Sequence, residues 1–330
     1  MKYILATTTM ILFLSCNQSP KQTDTNPSTQ KQVSVSLPAF DRDSAYCFVE
    51  KQVAFGPRVP NTKPHKDCGQ FLINTLAMYA DTVLLQPLSI KAYNGTMLHG
   101  QNIIGVFNPN AHKRVLLCAH WDSRPYADHD PDPTNHRTPI DGANDGASGV
   151  GVLLEIARQL RIKSPQTGVD IIFFDLEDYG EPNNERHLYG GENWCLGSQA
   201  WAKTPHTKNY RAKYGILLDM VGGINAQFAK EGFSYQYAPD IVDKIWNRAN
   251  MLGFALYFQN KETNPVLDDH FYINKIRNIP TINIIEYDPL TEHGFSKHWH
   301  TLNDNMNNID KETLHAVGVV VLSAVYGERE

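Results

Sequence analysis

Val169-Asp170-Ile171-Ile172-Phe173-Phe174-Asp175-Leu176-Glu177-Asp178 is the stretch from which the architecture follows. Its apolar residues run together instead of alternating, as a strand covered on both faces requires, and the acids begin where the apolar run stops. Comparable runs occupy Asn102–Phe107, Arg114–His120, Tyr214–Met220, Ala255–Phe258 and Thr281–Ile285. Between and around them, helical spacing appears in Ser44–Ala54, His65–Tyr79, Gly149–Arg161, Pro239–Leu252 and Lys311–Val325. This alternation predicts an α/β fold, a three-layer α/β/α sandwich with a mixed central sheet.

The composition agrees with one large globular domain. Of 330 residues, 42% are hydrophobic and 20% charged, with a net charge of −5. Moderate charge and dispersed apolar residues exclude a disordered tail protein and a polytopic membrane protein. No run of Lys and Arg offers a surface for displacing counterions from phosphates, so nucleic acid is an unsuitable partner. Small molecules or peptides are the expected ones.

The N-terminus has a different character. Lys2 precedes a short apolar stretch from Tyr3 to Ser15, too short to span a bilayer and suited to a signal-peptide core. Leu12-Phe13-Leu14-Ser15-Cys16 resembles the lipobox of bacterial lipoproteins, with Phe13 where Leu is usual. The resemblance implies a signal peptide over 1–15, lipidation at Cys16 and membrane attachment through that lipid. Asn17 in place of Asp points to the periplasmic face of the outer membrane. Residues 16–39 are rich in Ser, Thr, Gln, Asn and Pro and read as a tether. The catalytic domain is expected over 40–330, as a monomer.

Four cysteines follow Cys16. Cys118 lies inside an apolar run and is expected to act as a small apolar residue. If any two pair, Cys47 with Cys68 is the expected disulfide. No Cys-x-x-Cys spacing marks a structural zinc or redox centre.

Polar residues gather where the strands end. His120 and Asp122 close one run, Asp175, Glu177 and Asp178 another, and Asp219 a third. Ligands of open α/β sheets bind at the carboxyl ends of strands, so three such ends together mark a site. With Asp145, Asp268, Asp269 and His300 they supply the imidazole and carboxylate donors that zinc accepts, enough for one metal or two. Asp145 stands in the loop Asp141-Gly142-Ala143-Asn144-Asp145-Gly146-Ala147-Ser148-Gly149, whose small residues admit close approach; alone, it reads equally well as a helix entry. Glu177 and Asp178 are adjacent in an extended segment and point oppositely, so one can hold metal while the other faces substrate.

These segments, with Ala119-His120-Trp121-Asp122-Ser123, Leu217-Leu218-Asp219-Met220, Asp268-Asp269-His270 and Trp299-His300-Thr301, occur in the order seen in the M28 zinc aminopeptidases and their glutaminyl cyclase relatives. The chain resembles that family over nearly the whole domain, which implies a zinc-aminopeptidase-like fold. In the aminopeptidases two zinc ions would be held by His120, Asp145, Asp178, Asp219 and His300. In the cyclases one zinc would be held by Asp145, Asp178 and His300 alone. Trp299 before His300, the paired acids Asp268-Asp269 and the segment Leu217-Leu218-Asp219-Met220-Val221-Gly222 are more similar to the cyclases. Asp178 departs from the Glu common in animal cyclases, and the stretch from Tyr179 to Asn193 reads as a lid or rim of undetermined role.

The cyclase resemblance implies peptides or proteins with N-terminal Gln as partners and one zinc as Lewis acid. It further implies Glu177 as general acid/base, with Asp219 and Asp268 holding the departing amide nitrogen. Trp299, Trp194 and Asp269 would bind substrate, Trp194 being open to a second reading as a core tryptophan. The alternative is an aminopeptidase releasing N-terminal residues with two zinc ions.

Overall fold

A computed structural model describes residues 38–188 and 192–328. The signal segment and nearly all of the tether expected from the sequence lie outside the described residues. In chain order the main elements begin with α1 (Arg42–Val53) and α2 (Lys63–Ala77), a hairpin of β1 (Thr82–Lys91) and β2 (Met97–Phe107), and β3 (Arg114–His120). Next come α3 (Ala147–Ile162), β4 (Gly168–Phe174), α4 (Leu196–Lys203), β5 (Tyr214–Asp219), β6 (Phe228–Lys230), α5 (Gly232–Tyr237) and α6 (Pro239–Met251). β7 (Phe258–Glu262), α7 (Asp269–Tyr272), β8 (Thr281–Ile285) and α8 (Lys311–Tyr326) complete the chain.

The main sheet has six strands in the order β1-β2-β4-β3-β5-β8. β4, β3, β5 and β8 run parallel, while β1 and β2 are antiparallel to their neighbours. The sheet is therefore mixed, as expected. Alternate residues of one strand feed opposite cores: Val115, Leu117 and Ala119 of β3 join the core under α1, α3 and α8. Leu116 and Cys118 join a second core with Trp201 of α4. Covering both faces explains the unbroken apolar runs, and Cys118 serves as the small apolar residue its setting implied.

α3 brings the site together. It is buried on nearly every side, and Gly149 lies so near β5 that a Cβ there would stand 2.2 Å from the Leu218 carbonyl oxygen. Gly149→Ala is expected to cost about 1–3 kcal/mol by overpacking, read as a lower thermal unfolding midpoint.

The structure corrects three expectations. Ala255–Phe258 is not a strand: residues 255–257 form a turn after α6, Leu256 is 82% exposed, and β7 begins at Phe258 in a separate two-stranded sheet. The turn is closed locally by amides of Tyr257 and Phe258 donating to the Phe254 carbonyl. β1 is an additional, half-exposed strand whose short apolar run Val83-Leu84-Leu85 is broken by Gln86 and Pro87, although Asn94-Gly95 is a hairpin-turn signal. Cys47 and Cys68 are both free thiols, as are Cys118 and Cys195. Cys68 is instead fully buried in the main core. Among the described residues, no helix is long and apolar enough to cross a membrane.

Candidate active site

The carboxyl ends of β4 and β5 present Glu177 with Asp178, and Asp219, to one cavity of about 540 Å³, and His120 at the end of β3 lies buried behind Asp145 and Asp219. Asp145 enters from the loop before α3, Asp268 from the N-cap of α7, and Trp299 and His300 from the loop before α8. The sequence separates these residues widely, and the parallel strands gather them.

Two clusters share Asp145. In the first, His120 Nε2 lies 3.0 Å from Asp145 Oδ1 and 3.2 Å from Asp219 Oδ1, which are hydrogen-bond distances. In the second, His300 Nε2 lies 3.4 Å from both Asp145 Oδ2 and Asp178 Oδ1. Donors about 2 Å from a tetrahedral zinc stand about 3.3 Å apart, so both clusters have the spacing of a metal triad. Asp178 Oδ2 is buried and accepts no hydrogen bond among the described residues. Burial and the charge of Asp145 raise the Asp178 carboxyl, and burial with Asp268 and Asp145 pushes Asp219 up to about 7. Such crowding of acids is relieved by a bound dication, and the residues fit zinc.

Each histidine has a carboxylate behind its other nitrogen. Asp122 Oδ1 is 3.6 Å from His120 Nδ1, and Asp128 Oδ1 is 3.4 Å from His300 Nδ1. Burial would lower both imidazoles, but the surrounding carboxylates raise His120 well above its usual value and hold His300 at about 9. Asp128 is itself clamped by Arg124, at 2.8 Å from Nε and 2.6 Å from Nη2. Burial would raise its carboxyl, but Arg124 and His300 draw it far below the usual range. A carboxylate behind a metal-binding histidine fixes its tautomer and orientation, so Asp128→Ala is expected to weaken zinc binding about 10–100-fold, measured by competition with a chelator.

Backbone clamps set the other ligands. Asp122 accepts the amides of both Glu177 and Asp178 at 3.1 Å, and Asp304 accepts those of Asn144 and Asp145 at 2.7 and 3.0 Å. Asp175 is occupied structurally: it accepts from His65 Nε2 at 2.8 Å and from the Gln101 amide at 2.7 Å. Arg124, Asp128 and the clamping role of Asp304 escaped the sequence reading. The run Arg124-x-x-x-Asp128 is too common a spacing to single out, and Asp304 acquires meaning only from its distant partners.

Glu177 lines the cavity, where burial first, and then Asp178, Asp268 and Asp269, push its carboxyl well above the usual range. Asp219 and Asp268 line it too, but their bonds go elsewhere: Asp219 to His120, and Asp268 to Asn283 Nδ2 at 2.6 Å and the Asp269 amide. Trp299 stacks on the His300 ring at 3.8 Å between centroids, while Trp194 lies parallel to it at 6.3 Å. Both tryptophans line the cavity. Asp269 does not: it is fully buried and absent from the cavity wall. A second wall of Pro265, Val266, Leu267, Tyr287, Pro289 and Phe295 makes the cavity longer than a single side chain needs.

Comparison with known proteins accounts for this arrangement. The profile of Peptidase family M28 matches residues 102–325. A zinc-dependent exopeptidase from Parabacteroides distasonis is 56% identical, with a TM-score of 0.87 over 89% of this chain and 100% of the other. A glutaminyl cyclase from Tannerella forsythia is 54% identical, with a TM-score of 0.86 over 88% of this chain and 100% of the other. Among curated relatives, the glutaminyl-peptide cyclotransferase of Bothrops jararaca is 28% identical over 64% of this chain, and the match spans 61% of that relative's length. With its two histidine–carboxylate clusters, clamps and strand order in place over the matched residues, the chain belongs to peptidase family M28.

Proposed function

We propose that the protein is a glutaminyl-peptide cyclotransferase with one zinc per chain, acting on peptides or proteins that begin with Gln. The observation that carries this reading is the pair of tryptophans at the His300 cluster: Trp299 stacks on the His300 ring at 3.8 Å and Trp194 lies parallel to it at 6.3 Å, so Asp145, Asp178 and His300 open into an aromatic pocket. The cluster of His120, Asp145 and Asp219 has equally compact spacing, so metal stoichiometry is the test of one zinc. The similarity to the Tannerella forsythia cyclase supports the cyclase reading.

Zinc held by Asp145, Asp178 and His300 would supply Lewis-acid polarisation of the γ-carbonyl oxygen. The chain's own residues do the rest. Trp299 and Trp194 flank the site and restrict the glutamine so that its α-amine meets its own γ-carbon, an intramolecular approach in which positioning replaces encounter. The new C–N bond closes the five-membered ring as the γ-C–N bond breaks. Glu177 takes a proton from the α-nitrogen and returns one to the amide nitrogen, which leaves as ammonia. A raised carboxyl suits this two-way transfer near neutral pH. Asp219 and Asp268 line the cavity, and the lone pairs left over from their bonds to His120, Asn283 and the Asp269 amide accept the N–H groups of the departing amide. Attachment to the outer membrane through Cys16 belongs to the same proposal and rests on the sequence alone.

The deciding experiment incubates zinc-loaded protein with a Gln-initiated and a Leu-initiated peptide and reads both by mass spectrometry. Loss of ammonia from the first supports the cyclase. Free leucine from the second without ammonia loss from the first identifies an aminopeptidase and overturns it.

A further inference from the structure

Cys195 is a buried nucleophile-type side chain that the proposed mechanism does not use, and it touches the residue placed as general base. Its Sγ lies 3.0 Å from Glu177 Oε1. Among the described residues Glu177 Oε2 accepts no hydrogen bond, and Glu177 lines the cavity. The thiol thus engages one carboxylate oxygen and leaves the other available.

The contact is built into the backbone. The Cys195 amide donates to the Glu177 carbonyl at 3.0 Å, and the Leu196 amide to the Leu176 carbonyl at 3.0 Å. Both Leu176 and Cys195 adopt left-handed conformations, with φ of 60° and 56°. Such backbone is uncommon for residues with side chains and persists where the surroundings over-determine it. Asn102 ties the two segments from below: its Oδ1 accepts the Asp175 amide at 3.0 Å and its Nδ2 donates to the Gly197 carbonyl at 2.9 Å. A Cβ on Gly197 would stand 2.1 Å from the Asp175 carbonyl oxygen, so the segments meet in direct backbone contact. The thiol is carried to Glu177 by four hydrogen bonds and a close packing contact, not by side-chain freedom.

We infer that Cys195 is a positioning residue: its S–H donates to Glu177 Oε1 and fixes the carboxylate so that Oε2 meets the substrate's nitrogen atoms. Burial and the adjoining carboxylates raise the thiol well above its usual value, so it stays a donor across the working range. The inference rests on the cyclase reading. It deepens that reading by assigning the orientation of the base to a residue that neither holds zinc nor lines the cavity.

The test compares wild type, Cys195→Ala and Cys195→Ser on a Gln-initiated peptide, with zinc content and thermal midpoint recorded for each. A misaligned proton acceptor loses rate more than affinity, so Cys195→Ala is expected to lower kcat about tenfold at unchanged KM and zinc content. Cys195→Ser, which keeps a donor, is expected to recover to within about threefold of wild type. Equal kcat in wild type and Cys195→Ala overturns the inference, as does an equal loss in Ala and Ser variants that are folded and loaded with zinc. Should the Ala variant fail to fold, Cys195→Val fills the space without a donor and is judged by the same two outcomes. A wild type that releases no ammonia overturns the cyclase reading itself; an active wild type with an equally active Ala or Val variant overturns only the role of Cys195.

Discussion

Glu177→Gln is expected to lower kcat for ammonia release about 10²–10⁴-fold, the span that a positioned general acid/base supplies. The substitution is nearly isosteric. Its amide oxygen can still accept the Cys195 thiol, and the Asp122 clamp acts on the backbone of residues 177 and 178, which the change leaves alone. What is lost is the ability to take a proton from the α-nitrogen and return it to the leaving amide. Zinc content and KM should therefore be unchanged, since Asp145, Asp178 and His300 keep their geometry. The measurement is steady-state ammonia release with metal analysis of the same samples. A variant within about threefold of wild type would move the proton transfer to another group, Asp219 being the next in the cavity.

Asp178→Ala is expected to remove the metal. Structural zinc sites bind with about 10–16 kcal/mol shared over four ligands, so one ligand represents about 3–4 kcal/mol, or about 10²–10³-fold in affinity. Asp178 lies 3.4 Å from His300 Nε2 and has one oxygen without a protein partner, which makes it a ligand more than a structural carboxylate. Zinc stoichiometry should fall from one per chain to traces after desalting, and cyclisation should fall with it. Stability separates the two roles of this acid. Adding zinc stabilises wild type in proportion to RT ln(1 + [Zn]/Kd), so its thermal midpoint rises; in the variant that rise should shrink sharply. Without zinc the variant should be no less stable than wild type, because burial and Asp145 already disfavour the ionised Asp178 carboxyl. A wild type with two tightly held zinc ions, one surviving in the variant, would instead favour the two-metal arrangement.

The most legible feature was β4 and its acids. An apolar run covered on both faces leaves a strong local signal, and Glu177 and Asp178 follow it directly. β3, β5 and β8 were legible for the same reason, with His120 and Asp219 at their ends. β1 was not, because an edge strand that is largely half-exposed needs no long apolar run, and Gln86-Pro87 interrupts the one it has. Residues 255–257 misled in the opposite sense: the local sequence is apolar, but Leu256 faces solvent in a turn closed by its neighbours' amides. Cys47 and Cys68 share an oxidisable chemistry, yet pairing depends on distance, and the core claims Cys68.

The linear order of residues was enough to establish the layered α/β architecture and the donor set around Asp145, since hydrophobic period and donor chemistry are properties of short segments. It could not reveal that Asp122 stands behind His120, or that Arg124 and Asp128 stand behind His300. Nor could it reveal that Asp304 holds the Asp145 loop, or that Cys195 reaches back to Glu177. Those contacts join groups as much as 160 positions apart in the chain. Such contacts exist only once the sheet and its flanking helices have packed, because packing alone brings remote segments within reach and sets which donor meets which acceptor.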